Sequence, residues 1–166
     1  MHIRARQAVT LGMVGVATLL LVSAGTARAQ APDPLVGTWK MDVAKSSYKP
    51  GPAPKSATVV VEPEGKAKGI KISVDAVGAD GSPMKWGFTT QRDGKEAPVT
   101  GNPMYDTATT TMTNPTHGTT VYKKGGKTVM TSKAELSADG KTMTLTGSGT
   151  DAKGQPVLNV GIYTKQ

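Results

Sequence analysis

Side chains that could do covalent or metal chemistry are sparse in this sequence. There is no cysteine, and the two histidines are His2 and His117. Nucleophilic catalysis needs a serine or cysteine with a base held in reach. Beyond the N-terminal stretch His117 is the one such base. It lies in Asn114-Pro115-Thr116-His117-Gly118, which reads as a turn that leaves the imidazole solvated. Zinc takes several nitrogen or sulfur ligands, and one histidine without cysteine leaves no normal zinc site. Calcium takes clustered oxygen ligands, whereas the twelve acidic residues are dispersed singly, without Asp-x-Asp spacing. A carboxylate pair such as Asp75 with Glu96 would have to be assembled by the fold. Gly147-Ser148-Gly149 resembles half a nucleotide loop, but it falls in an expected strand with no helix after it. The expectation is a protein that is not an enzyme, with no cofactor and no metal.

The N-terminus has a different character. Arg4 and Arg6 precede an uncharged, largely apolar stretch from Ala8 to Ala24, followed by the small-residue pattern Ala27-Arg28-Ala29. That order is the order of a secretory signal. The competing reading is an uncleaved anchor, because the apolar run approaches the length that spans a bilayer. Residues 1–29 are expected to be a cleavable signal peptide and 30–166 a single domain, periplasmic or extracellular, with no membrane span after cleavage. Without cysteine it is not a lipoprotein, and Arg4 and Arg6 are not adjacent as the twin-arginine route requires.

Cleavage would lower the net charge from +8 to +5 by removing Arg4, Arg6 and Arg28. The remaining lysines are scattered through turns and strand faces, and Arg92 is the only arginine left. Nucleic-acid surfaces concentrate basic residues with aromatics between them, so nucleic acid is not an expected partner.

The elements that must position any site are strands. No run of ten residues beyond 29 carries apolar positions at helical spacing free of Gly and Pro. Turn signals recur about every dozen residues: Ala79-Asp80-Gly81-Ser82, Arg92-Asp93-Gly94-Lys95, Lys124-Gly125-Gly126-Lys127, Ala138-Asp139-Gly140-Lys141 and Asp151-Ala152-Lys153-Gly154. Between them apolar residues alternate, as in Ile70, Ile72 and Val74, or Met84, Trp86 and Phe88. Strands are expected at 36–42, 57–62, 69–76, 84–91, 96–99, 105–113, 118–124, 127–136, 141–149 and 157–165. Residues 43–56, with Pro50, Pro52 and Pro54, read as an extended loop. Closure removes the exposed edges of such a meander. The expected fold is all-β, an antiparallel up-and-down meander closing into a barrel of about 8–10 strands. An open or sandwich sheet is the alternative.

Gly37-Thr38-Trp39, at the start of the first strand, resembles the Gly-x-Trp signature of the calycin barrels (lipocalins and fatty-acid-binding proteins), in which the tryptophan plugs one end. The closing strand, ending Gly161-Ile162-Tyr163-Thr164-Lys165, is similar too. Lys45-Ser46, Pro50-Gly51-Pro52-Ala53-Pro54-Lys55 and Gly101-Asn102-Pro103 resemble small exported lipocalin-like bacterial proteins of an uncharacterised family. The resemblance implies a barrel with an interior ligand and a structural role for Trp39. It also marks departures. Fatty-acid-binding proteins hold the ligand carboxylate with an Arg-x-Tyr in the last strand, and the matching positions here are Gly161, Ile162 and Tyr163. The helical lid between their first two strands is replaced by the proline loop. The arginine that packs on the signature tryptophan in lipocalins has no evident counterpart.

Aromatics make up 4% of the chain, so Val, Ile, Leu and Met must fill most of the interior, and a lightly filled barrel can hold a cavity. The run Thr107 to Thr113 is either a two-faced strand or a hydroxyl ladder lining a polar pocket. The leading reading is a non-catalytic binding protein carrying a small, mostly apolar molecule. Trp86, Phe88, Tyr105 and Tyr163 are the expected ligand-binding residues, with Trp39 closing the base. The alternative is a solid-packed envelope module that meets a protein partner through its lysine-rich outer face. A cavity of several hundred cubic ångströms separates the first reading from the second.

Overall fold

The computed structural model describes residues 32–65, 69–151 and 153–166. The signal-peptide reading of 1–29 lies outside the described residues. Apart from one 3-10 turn at Val43–Lys45, every regular element described is a strand: β1 Gly37–Met41, β2 Ser47–Lys49, β3 Ser56–Pro63, β4 Ile70–Val77, β5 Pro83–Thr90, β6 Asp93–Pro98, β7 Thr107–Asn114, β8 His117–Lys124, β9 Lys127–Leu136, β10 Thr142–Thr150 and β11 Pro156–Lys165. All pairings are antiparallel, in the order β5-β4-β3-β1-β11-β10-β9-β8-β7-β6. The first and last strands of the chain's meander therefore pair, with Trp39 opposite Lys165. At the other seam Gly87 of β5 exchanges two 3.0 Å backbone hydrogen bonds with Thr100, just past β6. The result is a nearly closed, ten-stranded antiparallel up-and-down barrel.

Turn chemistry fixes the register. Gly125 and Gly126 sit at φ 55° and 76°, the two positive angles that a two-residue hairpin between β8 and β9 demands. Two expected boundaries move. Residues 43–56 are a loop only at their proline-bearing end, because the first seven contain no proline and keep every N–H. Asp42 caps the 3-10 turn by accepting from the Lys45 N–H, and β2 then runs along β11 with Tyr48 opposite Asn159. The second concerns β6, which begins at Asp93 rather than 96. The turn falls on Gln91 and Arg92, whose φ is 57°, and Gly94 lies within a bulge between Asp93 and Glu96.

The apolar core gathers around Trp39, which is completely buried. Its Nε1 donates to the Leu35 carbonyl at 2.8 Å, so its one polar atom is satisfied in place. Leu35, Met41, Val59, Val61, Ile70 and Leu136 belong to the same cluster. A cation does cover the ring: Lys165 Nζ stands 5.1 Å above the Trp39 centroid and donates to the Pro34 carbonyl at 2.9 Å. A lysine on the paired strand thus stands where the lipocalin resemblance implies an arginine. Removing the indole would leave a hole at the closure of the sheet. Trp39→Ala is expected to cost about 3–5 kcal/mol in urea unfolding; a loss below about 1 kcal/mol would mean that the tryptophan is not the plug.

Candidate functional site

The strands alternate small and medium residues on their inner face, and the barrel stays unfilled. Its cavity measures about 940 Å³. Val59, Val61, Ile72 and Val74 form one apolar wall on β3 and β4. Methionines line other parts of the wall, with Met112, Met130 and Met143 on β7, β9 and β10, while Met84 of β5 and Met104 before β7 are 43% and 38% exposed. Glycines make room for these larger groups. At Gly147 an added Cβ would stand 3.3 Å from Met130 Sδ, and at Gly161 it would stand 2.8 Å from the Tyr163 ring. The mouth is rimmed by Pro52 and Pro54 from the loop after β2, by Ala79 and Pro83, and by Asn102 and Pro103.

Aromatic residues supply the rest. All four tyrosines of the chain, Tyr48, Tyr105, Tyr122 and Tyr163, border the cavity. Trp86 meets Tyr105 and Tyr122 edge to face at 6.0 and 5.9 Å, and those two tyrosines stack at 4.6 Å. This cluster spans the seam where β5 reaches the far side through a single backbone bridge. Each such ring pair contributes about 0.5–1.5 kcal/mol beyond its buried area. Phe88 does not border the cavity. It is buried behind Trp86 with its ring nearly parallel, at 6.4 Å, and meets Tyr122 edge-on at 6.0 Å. Phe88 borders instead a second hollow of about 670 Å³ against β3, β4 and β5, edged by outward residues such as Thr58, Lys71 and Thr89.

Of the residues expected at the site, Trp86, Tyr105 and Tyr163 thus face one cavity, Phe88 supports Trp86 from outside it, and Trp39 sits in the core below. Tyr48 and Tyr122 were missed. Tyr122 was readable, because period-two alternation on β8 puts it on the face of Thr120. Tyr48 was not, since its strand was hidden in a segment read as loop.

Among the described residues the charged groups in the wall are Lys85 and Arg92. Lys85 Nζ bonds Asp75 at 2.6 Å, and the buried Arg92 guanidinium pairs with the Asp33 carboxylate. The polar groups are neutral. The Tyr48 hydroxyl and the Tyr163 ring lie together over Gly161, and the Thr110 and Thr120 hydroxyls meet at 3.1 Å. The threonine run is a two-faced strand in which Thr110 turns inward and Thr111 is exposed. Burial raises the pKa of all four tyrosines. Around Tyr122 the neighbouring Tyr105 adds to the effect, and around Tyr163 the neighbouring Tyr48 does.

The residues weighed for catalysis are placed elsewhere. His117 is exposed at a hairpin, its Nδ1 within 2.9 Å of Thr116 Oγ1 and 3.1 Å of Asn114 Oδ1. Asp75 engages Lys85, and Glu96 engages Lys123. Gly147-Ser148-Gly149 is part of β10. Among the described residues no helix is long and apolar enough to cross a membrane.

No family model and no curated protein matches this chain. Solved structures similar to it include a redesigned β-barrel, mFAP0, bound to DFHBI, with TM-score 0.40 and 13% identity over 80% of this chain and 99% of that one. A zebrafish ileal bile acid-binding protein complexed with cholic acid gives 0.46 and 14% over 80% and 99%. The siderocalin Ex-FABP, described as having dual ligand specificities, gives 0.35 and 12% over 80% and 74%.

The tyrosines make the barrel sensitive to alkali. Their folded-state pKa values lie above the ordinary tyrosine value of 10.0, so below pH 10 folded and unfolded chains are equally protonated there. Above it the unfolded chain releases protons first, and stability falls as pH rises. Tyrosine absorbance titration is expected to show ionisation coinciding with loss of the β circular dichroism signal. Four phenolates appearing near pH 10 in a folded barrel would contradict this.

Proposed function

We propose that this chain is an exported, non-catalytic binding protein that carries a small, mostly apolar molecule inside its barrel. The observation that carries the reading is the cavity itself. Protein interiors are close-packed, with few voids larger than a water molecule, yet this barrel holds about 940 Å³ bordered by aliphatic, thioether and aromatic groups. That volume suits a drug-sized ligand, and the wall has the composition of a small-molecule site, apolar with a few placed hydroxyls. Methionine side chains adapt to the shape of what they touch. A solid-packed interaction module would fill this volume with its own side chains.

Trp86, Tyr105 and Tyr163 make the ligand contacts in this reading, joined by Tyr48 and Tyr122, while Trp39 holds the base shut. Export rests on residues 1–29 alone, and places the carrier in the periplasm or outside the cell.

Nile red, an uncharged dye that brightens in apolar surroundings, is expected to bind the purified domain at one site per chain. Trp86→Leu keeps an apolar group at the seam and should weaken binding about tenfold, with the circular dichroism spectrum preserved. Absence of saturable binding would sink the carrier reading, and an unchanged affinity in the variant would remove Trp86 from the site.

A further inference from the structure

We infer that the cavity selects an uncharged molecule, one that presents a hydroxyl, carbonyl or ester oxygen to the Tyr48–Tyr163 pair, and that it discriminates against carboxylates. The inference rests on the carrier reading and narrows its ligand class.

Charge accounting of the wall comes first. Among the described residues the cations bordering the cavity are Lys85 and Arg92, and each is already engaged by a carboxylate, Asp75 and Asp33 respectively. A carboxylate entering the barrel would lose its water without gaining a counter-charge of its own, and burying an ion on those terms is strongly unfavourable. An ether, ester or alcohol oxygen needs only one hydrogen-bond donor there.

Such donors lie along one strand. Asn159, Gly161 and Tyr163 occupy alternate positions of β11, and Asn159 is the register partner of Tyr48. Tyr48, Asn159 and Tyr163 all border the cavity. Between them Gly161 is buried, and its missing side chain is what lets the Tyr163 ring lie back along the strand. A Cβ at 161 would stand 2.8 Å from Tyr163 Cε2 and 3.4 Å from the Tyr48 hydroxyl. The tyrosine pair therefore occupies the space through which a long basic side chain at 161 would enter. Two phenols bring two O–H groups to this part of the wall. These O–H groups can donate to an acceptor in the cavity, and burial keeps both phenols protonated near neutral pH.

The test is displacement of bound Nile red by three molecules of equal chain length, dodecanol, methyl dodecanoate and dodecanoate, at pH 8 and below their aggregation limits. The alcohol and the ester are expected to displace the dye at concentrations at least about tenfold lower than the carboxylate. At pH 4 the acid is largely neutralised, and the gap should shrink. In the double variant Tyr48→Phe/Tyr163→Phe, which keeps both rings, the alcohol should lose at least about fivefold more affinity than Nile red loses, each measured against the wild-type domain by direct titration. Equal or better displacement by dodecanoate at pH 8, no displacement by the alcohol, or an alcohol affinity that falls no further than that of Nile red in the double variant would each overturn the inference and leave the carrier reading intact. Failure of Nile red to bind the wild-type domain would instead overturn the carrier reading itself.

Discussion

Pairing of β1 with β11 brings the two ends of the meander together, and the register that sets Trp39 opposite Lys165 is the constraint from which the rest of the barrel follows. It holds the indole inside, against Leu35 and the aliphatic residues of β3 and β4, and places a lysine over its outer face. One end of the barrel is closed by this arrangement. The other end is left to loops rich in proline, which cannot pair as strands and so cannot close it. An interior with a sealed base and a loop-rimmed mouth is the geometric consequence.

The second seam is made differently. Between β5 and the β6 side one backbone bridge does the joining, at Gly87 and Thr100, and the surrounding space is spanned by the rings of Trp86, Tyr105 and Tyr122 with Phe88 behind them. Four of the chain's seven aromatic residues are committed to this seam. Most of the remaining inner positions go to aliphatic residues, threonine, glycine and methionine, whose combined bulk does not fill a ten-stranded barrel. Closure and cavity thus share one cause: the large side chains are spent on the seams.

Much of this architecture was legible in the sequence because strand alternation and turn residues act locally. Lys124-Gly125-Gly126-Lys127 specifies its hairpin on its own, and Ile70, Ile72 and Val74 declare their face without reference to a partner strand. What could not be read was set by partners distant in sequence. Three residues after a 3-10 turn become β2 only because β11 offers an edge more than a hundred positions later, and Tyr48 reaches the cavity by that pairing alone. Lys165 covers Trp39 for the same reason. Phe88 shares the inward face of Trp86, but the seam aromatics lie between it and the cavity, a layering that period-two reasoning does not contain.

The account stands on a void kept open for a cargo. Its most direct test is native mass spectrometry of the full-length gene product purified from the envelope of cells expressing it, compared with the same sample after denaturation and delipidation. The account predicts a polypeptide beginning at Gln30 that carries a discrete excess mass of a few hundred daltons, released on denaturation. A bare polypeptide, still bare after incubation with a lipid extract of the same cells, would contradict it.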